Sequence, residues 1–155
     1  MRFIIAAVGK PKNRSLAAAM SEYEQRAARY WPLEICEVRE ESARAASPDL
    51  VRAREGERLL ACLEAHAHVI ACESDGVRMT SEEFSAWLQR ERELASHDVA
   101  FTIGGAFGLS DAVRTRAVMR MSFSSWTLPH EVARLVLAEQ LYRAGTIVRG
   151  EPYHK

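Results

Sequence analysis

The chain alternates between short apolar runs and longer segments whose apolar residues recur every three or four positions. Arg2 to Val8 is the first run and predicts a strand that meets a basic loop, Gly9-Lys10-Pro11-Lys12-Asn13-Arg14. Leu16, Met20, Tyr23, Ala27 and Tyr30 then share one helical stripe, so a helix is expected from a Ser15 cap to about Tyr30, stopped by Pro32. Leu33 to Val38 predicts a second strand and Arg39 to Ala46 a polar loop. Ser47-Pro48 opens a helix to about Ala65 that carries Val51, Leu59, Leu60 and Leu63.

The same alternation continues. His68 to Glu73 predicts a third strand, stopped by a turn at Ser74-Asp75-Gly76. Thr80-Ser81-Glu82-Glu83 is a capping box for a helix to about Leu94, with Phe84, Trp87, Leu88 and Leu94 inward. Asp98 to Ile103 predicts strand four, Ser110 caps a short helix over Asp111 to Ala117, and Val118 to Met121 predicts strand five. Pro129 opens a last helix to about Ala144. Strand and helix thus alternate five times, which predicts an α/β domain: a mainly parallel sheet with helices on both faces. No repeat or linker interrupts it, and 155 residues fit one domain.

Composition narrows the classes. No apolar run approaches the length of a membrane span, and the opening run is too short for a signal peptide. Cys36, Cys62 and Cys72 lack a CxxC spacing, which argues against metal or redox chemistry and points to reduced thiols in a cytoplasmic protein. Net charge is zero, which argues against non-specific coating of nucleic acid. Yet residues 112–155 hold seven Lys and Arg against three Glu. A local basic face can engage a polyanion while the total stays neutral.

Candidate chemistry gathers in the last third. Gly104-Gly105-Ala106-Phe107-Gly108 follows a strand and precedes a helix, where backbone groups can meet a ligand without Cβ obstruction. Its GGxxG spacing is neither the dinucleotide fingerprint GxGxxG nor a P-loop, and a tight turn explains it as well as a site does. The second loop, Ser122 to Pro129, mixes hydroxyls with Phe123, Trp126 and Leu128, a composition suited to walling a flat heterocycle. Its rival reading is a strand end running into a helix cap at Thr127 or Leu128. Two strand-to-helix loops close in sequence suggest one ligand site, because open α/β sheets bind beyond the carboxyl ends of their strands. The last helix is apolar on most sides, which predicts a second subunit as its cover. His130 and His154 lack zinc-ligand spacing, and no GxSxG is present, so neither a metal site nor a serine hydrolase is expected.

Taken together, Ile103 to Gly108, Ser122-Phe123-Ser124 with Thr127-Leu128-Pro129-His130, Glu139 to Ala144, and terminal Pro152-Tyr153-His154-Lys155 resemble the RlmH family. These are SPOUT-superfamily methyltransferases of large-subunit rRNA, acting at pseudouridine N3. The resemblance runs the whole length. It implies a five-stranded sheet with a C-terminal trefoil knot, a homodimer, S-adenosylmethionine as cofactor, and 23S rRNA within the assembled ribosome as substrate. Carried over by position, cofactor contacts fall on Cys72, Gly104, Gly105, Gly108, Ser124, Ser125, Trp126, Thr127, Leu128 and Pro129. Two departures stand out: Cys72-Glu73 where many members have Leu-Asp, and Phe123 where a Ser-Leu-Ser motif is common.

Methyl transfer to a uracil-type N3 requires loss of that nitrogen's proton. His154 and His130 are the candidate bases, Arg143 or Arg134 the candidate stabilisers of negative charge, and Tyr153 a candidate stacking partner for a base. A disordered terminus and an ordinary capping histidine are the rival readings of the tail and of His130. A non-catalytic ribosome-binding module and a nucleotide-dependent oxidoreductase are the alternatives for the whole chain, the latter disfavoured by the missing GxGxxG.

Overall fold

The computed structural model describes residues 1–42, 44 and 46–154, with the His154 side chain outside that description. Five strands, β1 (Phe3–Val8), β2 (Leu33–Val38), β3 (His68–Val77), β4 (Val99–Ile103) and β5 (Met119–Met121), form one sheet in the order β2-β1-β4-β3-β5. All its pairings are parallel. Five α-helices join them: α1 (Arg14–Ala27), α2 (Pro48–Ala61), α3 (Ser81–Leu94), α4 (Asp111–Arg116) and α5 (His130–Val148). A 3₁₀ turn at Pro152–His154 closes the described chain.

β1 explains why helices cover both faces. All six of its residues are buried, and alternate side chains feed different layers. Phe3, Ile5 and Ala7 join Ala27, Phe84, Trp87, Leu137 and Leu141 under α1, α3 and α5. Ile4, Ala6 and Val8 join Leu59, Leu109 and Val113 under α2 and α4. The thicker layer is tied by polar hooks as well: the buried Trp31 indole donates to the Leu141 carbonyl at 2.8 Å, and Ser85 Oγ to the Ala144 carbonyl at 3.0 Å.

Several boundaries differ from the sequence expectation. Asn13, not Ser15, caps α1, because its carboxamide accepts from Ser15 N and Leu16 N. α1 stops at Ala27 and α2 at Ala61, while α5 runs one turn past Ala144. Pro129 is itself the cap residue of α5, with no side-chain bond from Thr127 or Leu128. Leu94 is 71% exposed and does not face the core. The Thr80–Glu83 capping box and the Ser47 and Ser110 caps are present as expected.

The largest difference lies in β3, which continues through Ser74-Asp75-Gly76 instead of turning there. Its pairing with β5 jumps between Cys72 and Val77, the mark of a bulge. Gly76 is needed for close approach: a Cβ there would fall 2.5 Å from the Met121 backbone. Glycine in this stretch therefore signals a backbone contact across the sheet, which looks the same as a turn when only the sequence is read.

Candidate functional site

β4, β3 and β5 are neighbours, and the second half of β3 forms one concave surface with the segments that follow β4 and β5. A cavity of about 900 Å³ opens there, lined by Cys72 to Asp75 from β3, by the glycine loop, and by Ser122 to Ser124, Trp126 to His130 and Ala133 from the second loop and start of α5, Ser125 standing outside its walls. A volume of that size accommodates a nucleoside-sized ligand. The two loops singled out in the sequence thus share one site.

The glycine loop is folded tightly on itself. Gly108 N donates to the Gly105 carbonyl at 3.1 Å, and Gly108 has φ +82, a conformation that favours glycine. Gly104 is fixed by crowding: a Cβ there would lie 2.5 Å from Gly108 C and 2.6 Å from Gly108 O. The second loop is tethered through hydroxyls. Ser122 Oγ lies within reach of the carbonyls of Ser74 (3.0 Å) and Ser124 (2.8 Å), which share its one proton, and Ser124 Oγ accepts the Trp126 N–H at 3.0 Å. Short polar side chains thus hold a segment that lacks regular structure, with Trp126 79% exposed at its outer edge.

Electrostatically, the cavity wall carries a clamp that sequence reasoning missed. The Glu73 carboxylate sits between Arg114 Nε at 2.6 Å and Arg120 Nε at 2.9 Å, and Arg120 also reaches Asp75 at 2.6 Å. Hydrogen bonds to Glu73 raise the pKa of both guanidinium groups, so they remain charged. In the sequence these arginines belong to a general basic surplus. Only the β3–β5 pairing reveals that their partners are acidic residues some forty positions earlier. Cys72 lines the same wall as an apolar thiol. Burial, then the nearby Glu73, pushes its pKa up and keeps it protonated.

Of the residues expected to hold a cofactor, Cys72, Gly104, Gly105, Gly108, Ser124, Trp126, Thr127, Leu128 and Pro129 line the cavity. Of those expected to act in chemistry, His130 does so as the first residue of α5. Arg143 and Tyr153 are not among its walls within one chain. They belong to a second cluster on α1, α5 and the tail. Glu139 accepts from Arg143 (Nε 3.0 Å, Nη2 2.6 Å) and from the Tyr153 hydroxyl (3.2 Å), which also meets the Tyr23 hydroxyl at 3.3 Å. The Arg143 guanidinium stacks 4.9 Å over the Tyr153 ring. Burial, then Tyr23 and Glu139, raises the Tyr153 pKa, so the phenol stays neutral. Arg134 is buried and paired with Glu24 (2.8 Å) and Glu37 (2.6 Å), an anchor rather than a cavity wall. The readings for the His154 side chain and for Lys155 lie outside the described residues.

Among the described residues, no group of three His, Cys, Asp or Glu side chains is placed to hold a metal ion. Among the same residues, no helix is long and apolar enough to cross a membrane.

Comparison with known proteins adds the lineage. Residues 1–154 match the family model described as predicted SPOUT methyltransferase. A ribosomal RNA large subunit methyltransferase H from Gemmatimonas aurantiaca is 59% identical over 155 residues, covering all of both chains. Proteins of the same name from Listeria monocytogenes and Limosilactobacillus fermentum are 45% and 44% identical, again over the full length of each. Among solved structures, a probable methylase family protein from Haemophilus influenzae superposes with a TM-score of 0.52 at 11% identity, covering 99% of this chain and 70% of that one, and so supports the fold alone. With the sheet order, the two loops and these matches together, the chain belongs to the SPOUT methyltransferase family.

Proposed function

We propose that this chain is an S-adenosylmethionine-dependent methyltransferase that modifies N3 of a pseudouridine in 23S rRNA on the assembled large subunit, in the cytoplasm. The observation that carries the reading is the single cavity built jointly by the glycine loop and the Ser122–Pro129 loop. The names of the relatives, which specify large-subunit rRNA methylation, support the substrate class.

The cavity fits the cofactor on its own terms. Its volume suits a nucleoside with an amino-acid arm, the crowded Gly104 leaves backbone groups at the wall, and Cys72, Leu128 and Ala133 offer apolar surface for a flat ring. Bound there, the cofactor supplies an electrophilic methyl group on a positively charged sulfur. Gly104, Gly105, Gly108, Ser124 and the Trp126–Pro129 segment are the proposed contacts, with Ser125 at the edge. Most of the gain in such a transfer comes from holding the nucleophilic nitrogen in line with the methyl carbon. The N3 proton must pass to a base, and His130 on the cavity wall is the described side chain best situated to accept it.

Arg143 and Tyr153 enter through a second copy of the chain. α5 leaves Val132, Leu135 and Val136 only half-buried, an apolar strip that a partner would cover. In a homodimer the Arg143–Tyr153 cluster and His154 of one copy serve the cavity of the other: Arg143 stabilises charge that develops on the base, and Tyr153 stacks on it. The trefoil threading of the C-terminus belongs to the same proposal. It is supported by β5 lying beside β3 while α5 returns to pack against α1 and α3.

The test is methyl transfer from radiolabelled S-adenosylmethionine to large subunits, to whole ribosomes and to free rRNA lacking this modification. Incorporation at a pseudouridine N3 on ribosomes supports the reading. Ribosome binding without incorporation favours the non-catalytic module instead.

A further inference from the structure

Behind the glycine loop lies a carboxyl group with no role in the proposed transfer. Glu55, on α2, is 2% exposed. Its Oε1 accepts the Glu41 N–H at 3.0 Å, while its Oε2 is buried without a hydrogen-bond partner among the described residues. A Cβ built on Gly105 would fall 2.7 Å from that free oxygen and 3.1 Å from Val8 Cγ1. The missing side chain of Gly105 therefore lets the carboxyl press against the loop backbone.

The loop is a thin partition. Ala106 lines the large cavity and also a second one of about 400 Å³, whose wall includes Glu55. An unpaired buried carboxyl oxygen is destabilising, and a cation brought close to it would offset that cost. The large cavity's own acids, Glu73 and Asp75, are already matched by Arg114 and Arg120. Glu55 has no such pairing at Oε2 among the described residues.

We propose that Glu55 is a positioning residue for the methyl-donor site: acting through Gly105, its carboxylate makes the cavity favour the cationic sulfonium donor over the neutral thioether that transfer leaves behind. This rests on the donor reading above and deepens it. S-Adenosylmethionine and S-adenosylhomocysteine share adenine, ribose and amino-acid arm, and differ by one methyl group and one positive charge. The ratio of their affinities therefore isolates the electrostatic contribution. A field acting across a thin, buried wall is weakly screened by salt. Preference for the charged donor also speeds exchange of product for fresh donor.

The surroundings of Glu55 define its titration. Burial raises its pKa most. The Glu41 N–H opposes this, Glu40 adds to it, Arg58 opposes it and the Glu41 carboxylate adds to it. Arg39 and Arg44 line the same smaller cavity. The glycine loop brings no charged side chain, and β1 brings Val8. Lowering the pH neutralises Glu55 and weakens the donor relative to the product.

Calorimetric titration of both ligands, near pH 7.5 and near pH 5.5, tests this in wild type, Glu55→Gln and Glu55→Asp. Gln preserves size and an acceptor for the Glu41 N–H; Asp preserves charge. In Glu55→Gln the donor-over-product preference is expected to fall roughly fivefold, about 1 kcal/mol, and to lose its pH dependence. Glu55→Asp should retain part of the preference. Equal weakening of both ligands in Glu55→Gln, or an unchanged ratio, overturns the proposal. If Glu55→Gln does not fold, the pH series run in His130→Gln, which removes the imidazole on the cavity wall, decides: a ratio flat with pH overturns it. If neither ligand binds wild type, the donor reading itself fails and this inference with it.

Discussion

Gly104 is the residue on which the site's shape turns. A methyl group there would overlap the Gly108 carbonyl carbon and oxygen, so the loop backbone would have to shift to admit it. Gly104→Ala should cost about 1–3 kcal/mol of stability by overpacking and lower donor affinity more than tenfold, by urea denaturation and calorimetry. A variant that binds normally would show that the loop has room the crowding denies. Another residue-scale effect is pH-dependent. Burial raises the pKa of Asp98, but hydrogen bonds from Arg2 more than offset this and the net shift is downward. A carboxylate with a depressed folded pKa stabilises the protein above its unfolded value, roughly pH 3.9, and that contribution is lost as pH falls through the folded value. Asp98→Asn should therefore flatten the acid limb of a stability–pH curve measured below about pH 5. An unchanged limb would assign it to other carboxylates.

Helix α5 is the element that joins the two halves of the proposed machinery. Its first turn lines the cavity, and its later turns carry Glu139 and Arg143 beneath the tail. Arg134 fixes its position by bridging Glu24 of α1 and Glu37 of β2. Removing one member of such a buried set leaves charges unmatched, so Arg134→Met should destabilise by about 3–5 kcal/mol, read from urea midpoints. A loss under about 1 kcal/mol would mean that water compensates the two glutamates. The tail makes a different prediction. Tyr153 contacts α1 and α5 but not the cavity of its own chain. Deleting Tyr153 to Lys155 should abolish methyl transfer while donor affinity stays within about twofold. Unchanged turnover would take the tail out of the mechanism. These element-level roles are partly legible in the sequence. The apolar excess of α5 is written there, and the Glu139–Arg143 pair follows from helical spacing. Arg134 looks like a charge stabiliser in the sequence, because its burial depends on two glutamates distant along the chain.

At the scale of the whole molecule, the sheet order decides where the candidate site sits. Placing β3 between β4 and β5 sets the glycine loop beside the Ser122–Pro129 loop, although a helix separates them in sequence. The proposed active assembly needs two copies, since Arg143 and Tyr153 lie off the cavity of their own chain. Sedimentation or light scattering should give twice the 17.4 kDa chain mass. Charged substitutions at Leu135 and Val136 should yield a monomer that still binds donor but transfers no methyl group. A wild-type monomer with full activity would end the shared-site reading.

The order of strands and helices, the inward faces of most elements, the Ser47, Thr80 and Ser110 caps, and the two loops that meet at the cavity were set by local information. Periodicity, hydroxyl caps and glycine spacing act within a few residues, so the sequence alone carries them. The β3 bulge at Gly76, the Arg114–Glu73–Arg120 clamp, the Arg134 anchor and the carboxyl of Glu55 behind Gly105 were decided by the tertiary structure. Each is a close approach between segments far apart in the chain. Crowding, burial and charge pairing of that kind exist only once the sheet has brought those segments together.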